Sequence, residues 1–181
     1  LMEENVKEQE QKRKIELKAL QSQINPHFLY NTLDSIIWMA EGKKNEDVVL
    51  MTASLARLLR QSISNEDETV LIGQEIQYVK SYLTIQNMRY KDKLEFEINV
   101  DPSINSVHIV KLVLQPIVEN AIYHGLKYKE SKGLLTVTGY QKNQNAVIEI
   151  TDDGVGMDEE TLNHIFEKHK VNYRSNGVGV Y

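Results

Sequence analysis

The chain has 181 residues, enough for one ordinary domain or for a helical module followed by one small domain. With 41% hydrophobic and 26% charged residues it can bury a core, which argues against a largely disordered chain. The net charge of -5 provides no broad basic field for nucleic acid, and the lack of cysteine excludes disulfides and thiolate zinc sites.

Residues 1–64 have the pattern of helices alone. Leu17, Leu20 and Ile24 keep the spacing of a helix–helix seam, and Gly42 with the polar residues after it predicts a helix stop and a turn. The apolar face of the second helix carries Val48, Met51, Leu55, Leu58 and Leu59. Two such helices form an antiparallel hairpin that cannot bury both apolar stripes alone, so we expect a homodimer with a four-helix bundle.

His27 lies next to Pro26 within this helical region. On a wheel of about 100° per residue it falls roughly 140° from the apolar set, on the exposed side. That apolar set consists of Leu29, Leu33, Ile36, Ile37 and Ala40. Pro26 removes a backbone donor and is expected to bend the helix there. An exposed imidazole is a nucleophile at neutral pH; the alternative is a surface histidine without a role.

A polar linker at 65–68 precedes a region of mixed helical and strand patterns. In chain order we predict a helix at 74–90, a strand at 94–100, a helix at 108–126, and strands at 134–140 and 146–151 joined by a turn at 142–145. This second module is therefore α+β, with helices on one face of a mixed or antiparallel sheet.

Two segments of this module carry residues suited to a nucleotide. In LQPIVENAIYHG (114–125), Asn120 and His124 share a helix face, and an Asn oxygen is a suitable ligand for Mg²⁺ that already holds phosphates. In DDGVGM (152–157), a carboxylate follows a strand and glycines let the backbone approach a ligand. The alternatives are a helix with its polar residues in solvent and a plain Asp-Gly turn.

Together with the glycine pair near the C-terminus, these segments resemble one family. QINPHFLYNTL (23–33) is similar to the phosphoacceptor box of LytS/YesM-like sensor histidine kinases, and 114–125 is similar to their N box. Residues 152–157 resemble the G1 box, and 177–179 the start of the G2 box. No P-loop sequence occurs in the chain.

The resemblance implies two domains. Residues 1–66 would form the dimerisation and histidine phosphotransfer domain, and 67–181 the ATP-binding domain of the GHKL (Bergerat) type, an α/β sandwich. His27 would be the phosphoacceptor, Asn31 a candidate for positioning or for phosphatase activity, and Glu119 a candidate base.

The resemblance also implies a Mg-ATP site. Asn120 would hold Mg²⁺ and Asp152 would bind the adenine amino group. The other residues expected to contact the nucleotide are His124, Lys127, Gly154, Gly156, Met157, Gly177 and Gly179. Many histidine kinases carry a lysine three residues after the N-box asparagine, where this chain has Tyr123. Lys127, or Lys168, Lys170 or Arg174 in an expected lid at 158–176, is then the candidate phosphate-binding cation.

The implied activity is transfer of the γ-phosphate of ATP to His27 and then to an aspartate of a response regulator. No apolar run approaches the roughly 20 residues that a membrane helix needs. A membrane-spanning sensor precedes this region in full-length relatives, so we expect the cytoplasmic portion of a plasma-membrane protein, continuing past Tyr181. Two alternatives stay open: another GHKL ATPase without a phosphoacceptor, and a dimeric scaffold that binds nucleotide without turnover.

Overall fold

The computed structural model describes residues 25–63, 69–91, 93–159 and 162. The chain divides into two compact units, Leu1–Glu66 and Asp67–Tyr181. Within the described ranges, no helix combines the length and the apolar character that crossing a membrane requires. The predicted helix seam at Leu17, Leu20 and Ile24 and the predicted linker at 65–68 lie outside the described residues.

The first unit contains a helical hairpin made of α1 (Pro26–Glu41) and α2 (Asn45–Ile63). Pro26 is the first residue of α1, and the Asn25 side chain accepts a hydrogen bond from the His27 backbone N–H at 3.0 Å. Proline suits this position because its fixed φ is helical and its missing N–H would have no partner in the helix. The described helix begins at Pro26, and the expected bend depends on residues before Asn25, which lie outside the described residues.

The predicted turn after α1 is confirmed, although its geometry depends on a different residue. Gly42 has a φ of -75°, while Lys43 adopts the left-handed conformation with a φ of 55°. The Lys43 N–H donates to the Ala40 carbonyl at 3.0 Å, and the Lys44 N–H donates to the Met39 carbonyl at 2.9 Å. These two bonds satisfy carbonyls at the end of α1, which offsets the cost of a left-handed lysine.

The face that α1 buries differs from the predicted one. Leu33 and Ile37 are 46% and 56% exposed, and Ala40 is also exposed. The buried side chains of the hairpin are Phe28, Thr32, Met39, Met51, Ser54, Leu55, Leu58 and Ser62. The helix therefore has two apolar faces, one buried within this chain and one open, and the wheel analysis identified the open one.

The second unit is an α/β region. Its elements are β1 (Thr69–Leu71), α3 (Ile72–Arg89), β2 (Leu94–Val100), a 3-10 turn (Pro102–Ile104), β3 (His108–Val110), α4 (Leu114–Asn120), a π-helical turn (Ala121–Leu126), β4 (Gly133–Lys142) and β5 (Asn145–Asp152). A three-stranded mixed sheet has the order β2-β4-β5, with β2 parallel and β5 antiparallel to β4. β1 and β3 form a separate antiparallel pair.

The mixed sheet is covered by helices on one side. Along β4 every second residue is buried, including Leu135 and Val137, as a strand with one covered face requires. That cover is supplied by α3, which contacts β2, and by the π turn, which contacts β4 and β5. The predicted fold class is confirmed. A helical part is followed by an α/β region with a mixed sheet, and the described residues contain four α-helices.

The predicted helix at 108–126 is only half correct, because His108–Val110 is a strand paired with Thr69–Leu71. Leu112 has a left-handed φ of 59°, which separates this strand from α4. The buried Glu75 carboxylate of α3 accepts the backbone N–H groups of Leu112 and Leu114, both at 3.1 Å. This contact from a distant residue fixes where α4 begins, since the first N–H groups of a helix have no partner within it.

Candidate functional site

His27 is exposed in the first turn of α1. The Asn31 amide nitrogen lies 3.0 Å from Nε2 and 3.1 Å from Nδ1 of the imidazole. An amide N–H can donate only to a ring nitrogen that carries no proton, and the nearly equal distances allow donation to either one, so this contact orients the ring without selecting a tautomer. The structure thus brings the His27 and Asn31 side chains together, one helical turn apart.

The N-box residues lie where α4 passes into the π turn. Asn120 is the last residue of α4 and is partly exposed, while His124 and Lys127 are exposed. The Lys127 N–H donates to the Ile122 carbonyl at 2.9 Å, the five-residue spacing of a π-helix. Single π turns inside helices occur frequently at functional sites.

The end of this π turn contacts the turn after β5 at backbone level. A Cβ atom on Gly125 would lie 2.5 Å from Oδ1 of Asp152, and a Cβ on Gly154 would lie 2.5 Å from the Cα of Gly125. The Val155 N–H donates to the Gly125 carbonyl at 3.2 Å. Two motifs that are separate in the sequence therefore meet, with glycine at both contact positions.

The adjacent aspartates after β5 have different surroundings. Asp153 accepts the Leu134 N–H at 2.8 Å and pairs with Lys129 at 2.7 Å, and the Lys129 contact holds the pKa of this carboxyl below its usual value. Asp152 is exposed, and its Oδ1 accepts the Gly154 N–H at 3.0 Å. Asp153 thus connects the turn to β4, whereas the Asp152 carboxylate is exposed and accepts a hydrogen bond within the turn itself.

The remaining predicted nucleotide contacts are partly described. Gly156 has a φ of 73°, a left-handed conformation that favours glycine, and Met157 beside it is 61% exposed. Gly177 and Gly179 lie outside the described residues, as do the expected lid cations Lys168, Lys170 and Arg174.

A polar cluster that the sequence did not reveal joins α3 to the N-box segment. The Gln115 amide donates to Glu119 Oε1 at 2.7 Å, and burial raises the pKa of Glu119. The Tyr123 hydroxyl contacts that of the buried Tyr82, whose pKa burial also raises. Tyr123 is therefore held by α3 through Tyr82, a contact that no local signal in the sequence indicates.

The residues of the candidate site suit Mg²⁺ only when the ion is also bound by the phosphates of a nucleotide. Within the described part of the chain, no group of three or more His, Cys, Asp or Glu side chains could hold a metal. Mg²⁺ in nucleotide sites commonly uses one or two protein oxygens together with phosphates and water. The Asn120 amide oxygen would be one such ligand, and the nucleotide would supply others.

We expect Gly154→Ala to destabilise the second unit, because the new methyl group would overlap the backbone of Gly125, with its Cβ 2.5 Å from the Gly125 Cα. Overpacking of this kind costs about 1–3 kcal/mol in the free energy of unfolding, which urea denaturation measures. In the control Gly42→Ala, the nearest atom to the new Cβ is 3.4 Å away, an ordinary contact. Equal stability of the Gly154→Ala variant and the control would contradict the close contact.

Two protein-family models match the chain. One, described as "Histidine kinase", matches residues 15–94. The other, described as "Histidine kinase-, DNA gyrase B-, and HSP90-like ATPase", matches residues 106–181. The first match contains the hairpin and α3, and the second contains α4, the π turn and the motif after β5.

Curated relatives are similar over most of this chain. Sensor histidine kinase YesM of Bacillus subtilis is 41% identical over 90% of the chain, and sensor histidine kinase YpdA of Escherichia coli is 36% identical over 84%. Sensor protein LytS of Oceanobacillus iheyensis is 31% identical over 91%. The matched region spans 28%, 27% and 28% of these three relatives, respectively.

Proposed function

Because the chain belongs to the LytS/YesM-like sensor histidine kinases in the region that it covers, we propose that it transfers the γ-phosphoryl group of ATP to His27. The observation that carries this proposal is the contact of Gly125 with Asp152 and Gly154, which brings the N-box and G1 segments together. The test is incubation with Mg-ATP, after which acid-labile and base-stable phosphate should appear on the protein. Nucleotide binding without such phosphate would instead support the non-catalytic scaffold.

ATP would bind along the π turn and the turn after β5. In this proposal Asp152 accepts a hydrogen bond from the adenine amino group, and Asn120 contributes its amide oxygen to Mg²⁺. His124 and Met157 are exposed on the same two segments and would contact the nucleotide, as Gly154 and Gly156 would through their backbone. Lys127, and Gly177 and Gly179 beyond the described residues, complete the proposed nucleotide contacts.

His27 would act as the nucleophile through an unprotonated ring nitrogen. The Asn31 amide, 3.0 Å from the ring, would orient the imidazole before transfer. The ring nitrogen would then give up this hydrogen bond and direct its lone pair at the phosphorus. Catalysis of phosphoryl transfer is mostly positioning and charge stabilisation, so a fixed ring orientation favours the reaction. The phosphoryl group would then pass to an aspartate of a response regulator docked near the exposed start of α1.

Glu119 is the proposed base for the proton that His27 loses. Burial raises its pKa, which makes its carboxylate a stronger proton acceptor than an exposed one. We expect Glu119→Gln to slow autophosphorylation about 100-fold or more, a typical contribution of general base catalysis. The affinity for Mg-ADP measured by calorimetry should stay the same, and an unchanged phosphorylation rate would exclude this role.

We also propose that the protein is a homodimer through the hairpin. Leu33 and Ile37 lie on one flank of α1, and Val49 (67% exposed) and Ala56 lie on one flank of α2. Because the helices run in opposite directions, right-handed helical geometry turns both flanks to the same side of the hairpin. Exposed apolar side chains on both helices typically mark an association surface.

We expect light scattering to give the mass of a dimer at micromolar concentration. Ile37→Glu should shift the protein towards the monomer, because two copies of the charge would be buried at the interface. The control Glu41→Gln changes an exposed residue of the same helix and should leave the dimer intact. A monomeric mass for the unaltered protein would contradict the dimer.

We place the chain in the cytoplasmic portion of a plasma-membrane protein, where ATP and response regulators are present. The names of the similar proteins, which are sensor kinases, support this assignment. The signal and the sensor would belong to other parts of such a protein.

A further inference from the structure

Glu75 is an acidic side chain in the interior of the second unit. It lies in the first turn of α3, and only 2% of its surface is exposed. Burial raises the pKa of Glu75, whereas the bonds from the Leu114 and Leu112 N–H groups lower it. A carboxylate is costly to bury and is found in a core only when its oxygens have partners. Neither the proposed nucleotide contacts nor the proposed base includes Glu75, so its burial calls for a separate role.

Both oxygens of this carboxylate bind the backbone where the chain enters α4. Oε2 accepts the Leu112 N–H and Oε1 accepts the Leu114 N–H, each at 3.1 Å. Leu112 has a left-handed φ of 59°, which is unfavourable for any residue with a Cβ. The two bonds lie on either side of Val113 and stabilise this unfavourable turn between β3 and α4. Glu75 therefore fixes both the position and the direction of the first residue of α4.

The start of α4 determines where Asn120 lies. The helix has seven residues, Leu114–Asn120, so its ends are about 9 Å apart at roughly 1.5 Å per residue. Leu114 and Val118 are buried, and α4 packs against α3. A helix of about two turns bends little, so a shift or rotation at Leu114 is passed on to Asn120 at the other end.

We propose that Glu75 is a positioning residue for the Mg²⁺ end of the nucleotide site. By fixing the start of α4, its carboxylate holds the Asn120 amide oxygen where the ion of a Mg-nucleotide is bound. This role rests on the proposed function, since it takes Asn120 as a ligand of Mg²⁺. Asp152 is the last residue of β5 and is not part of α4, so adenine recognition should not depend on Glu75.

Glu75→Gln tests this role through the Mg²⁺ dependence of ADP binding. Glutamine keeps the size of the side chain, but its amide N–H₂ cannot accept the second backbone N–H. In calorimetric titrations with ADP in MgCl₂, we expect the affinity to fall roughly 5- to 100-fold, the range for losing one polar partner of a bound ligand. In EDTA the affinity for ADP should stay within about two-fold of that of the unaltered protein, because the adenine contacts come from other elements.

The control Glu97→Gln makes the same chemical change at an exposed position of β2 and should leave both affinities unaltered. A second comparison uses Asn120→Ala as the background. In that background, Glu75→Gln should lower the Mg-ADP affinity by no more than about two-fold. A residue that acts through Asn120 has no further effect once the Asn120 amide is absent.

Glu75→Asp provides a second variant if the glutamine variant does not fold. Aspartate keeps the charge but is one methylene shorter, so it cannot hold both N–H groups as glutamate does. The same selective loss of Mg-ADP affinity is expected. Hydrogen exchange at the Leu112 and Leu114 amides should also be faster than in the unaltered protein, which reports the weakened bonds without any nucleotide.

Several results would overturn the proposal. One is an unchanged Mg-ADP affinity in a folded Glu75 variant, and another is an equal loss with and without Mg²⁺, which would indicate a general distortion. Additive losses from the Glu75 and Asn120 changes, or failure of both Glu75 variants to fold, would also exclude a positioning role. Failure of the proposed function would look different, because the unaltered protein itself would then bind ADP no more tightly with Mg²⁺ than without it. That result would remove Asn120 as a Mg²⁺ ligand and this role of Glu75 with it.

Discussion

Replacing His27 by alanine is expected to abolish incorporation of phosphate from Mg-ATP while leaving Mg-ADP affinity unchanged. The alanine has no nucleophilic nitrogen, and removal of the phosphoacceptor blocks the reaction rather than slowing it. His27 belongs to the first compact unit, whereas the proposed nucleotide contacts belong to the second. The His27→Ala variant is therefore expected to lose phosphorylation and to keep its ADP binding.

The control for this variant is His108→Ala, which removes an exposed histidine of β3. It should incorporate as much phosphate as the unaltered protein. The assay uses radiolabelled ATP followed by acid and base treatment. Full incorporation in the His27→Ala variant would mean that another residue is the acceptor.

Asn120→Ala and Asp152→Asn are each expected to weaken Mg-nucleotide binding. Loss of a polar partner that faces a bound ligand costs about 1–3 kcal/mol, which corresponds to roughly 5- to 150-fold in affinity. Asp152→Asn keeps the shape of the side chain but places an amide N–H₂ where the adenine amino group needs an acceptor. Calorimetric titration with Mg-ADP measures the loss without requiring turnover.

A matched control for these variants is Asn99→Ala, which removes an exposed amide of β2. Its affinity for Mg-ADP should equal that of the unaltered protein, as should its unfolding curve. Unchanged affinity in both the Asn120 and the Asp152 variant would show that the nucleotide binds elsewhere.

The elements that the sequence predicted well are those whose pattern is local. Strand 94–100 alternates apolar and polar residues, and the structure has a strand over the same residues. The β4–β5 hairpin follows β-rich runs on either side of a polar turn in which Asn143 adopts a φ of 58°. In such segments each residue's preference agrees with the final structure, so a short window is sufficient.

The helix predicted at 108–126 failed for a reason that no short window contains. The strand at its start needs Thr69–Leu71 as a partner. The N–H groups of Leu112 and of Leu114, the first residue of α4, need the Glu75 carboxylate, which lies 37 and 39 residues earlier in the chain. In the sequence, Glu75 is one acidic residue of an amphipathic helix. Its burial and its two acceptor bonds appear only when α3 and α4 are packed together.

The candidate site could be predicted as a set of residues but not as an arrangement. The motifs gave Asn120, His124 and Asp152, whereas the Gly125–Asp152 contact and the Tyr82–Tyr123 contact depend on packing between distant segments. The two aspartates after β5 also look equivalent in the sequence. Only the structure shows that Asp153 is engaged by Lys129 and Leu134 while Asp152 stays exposed.

The most direct measurement of the central claim is mass-spectrometric mapping of the phosphorylated residue after incubation with Mg-ATP, under neutral or basic conditions that preserve phosphohistidine. We predict a single modified peptide that contains residues 26–31, with the phosphoryl group on His27. Stoichiometric phosphate on another histidine or on a hydroxyl side chain, with His27 unmodified, would contradict the assignment. Absence of phosphate in protein that binds Mg-ATP would contradict the kinase itself.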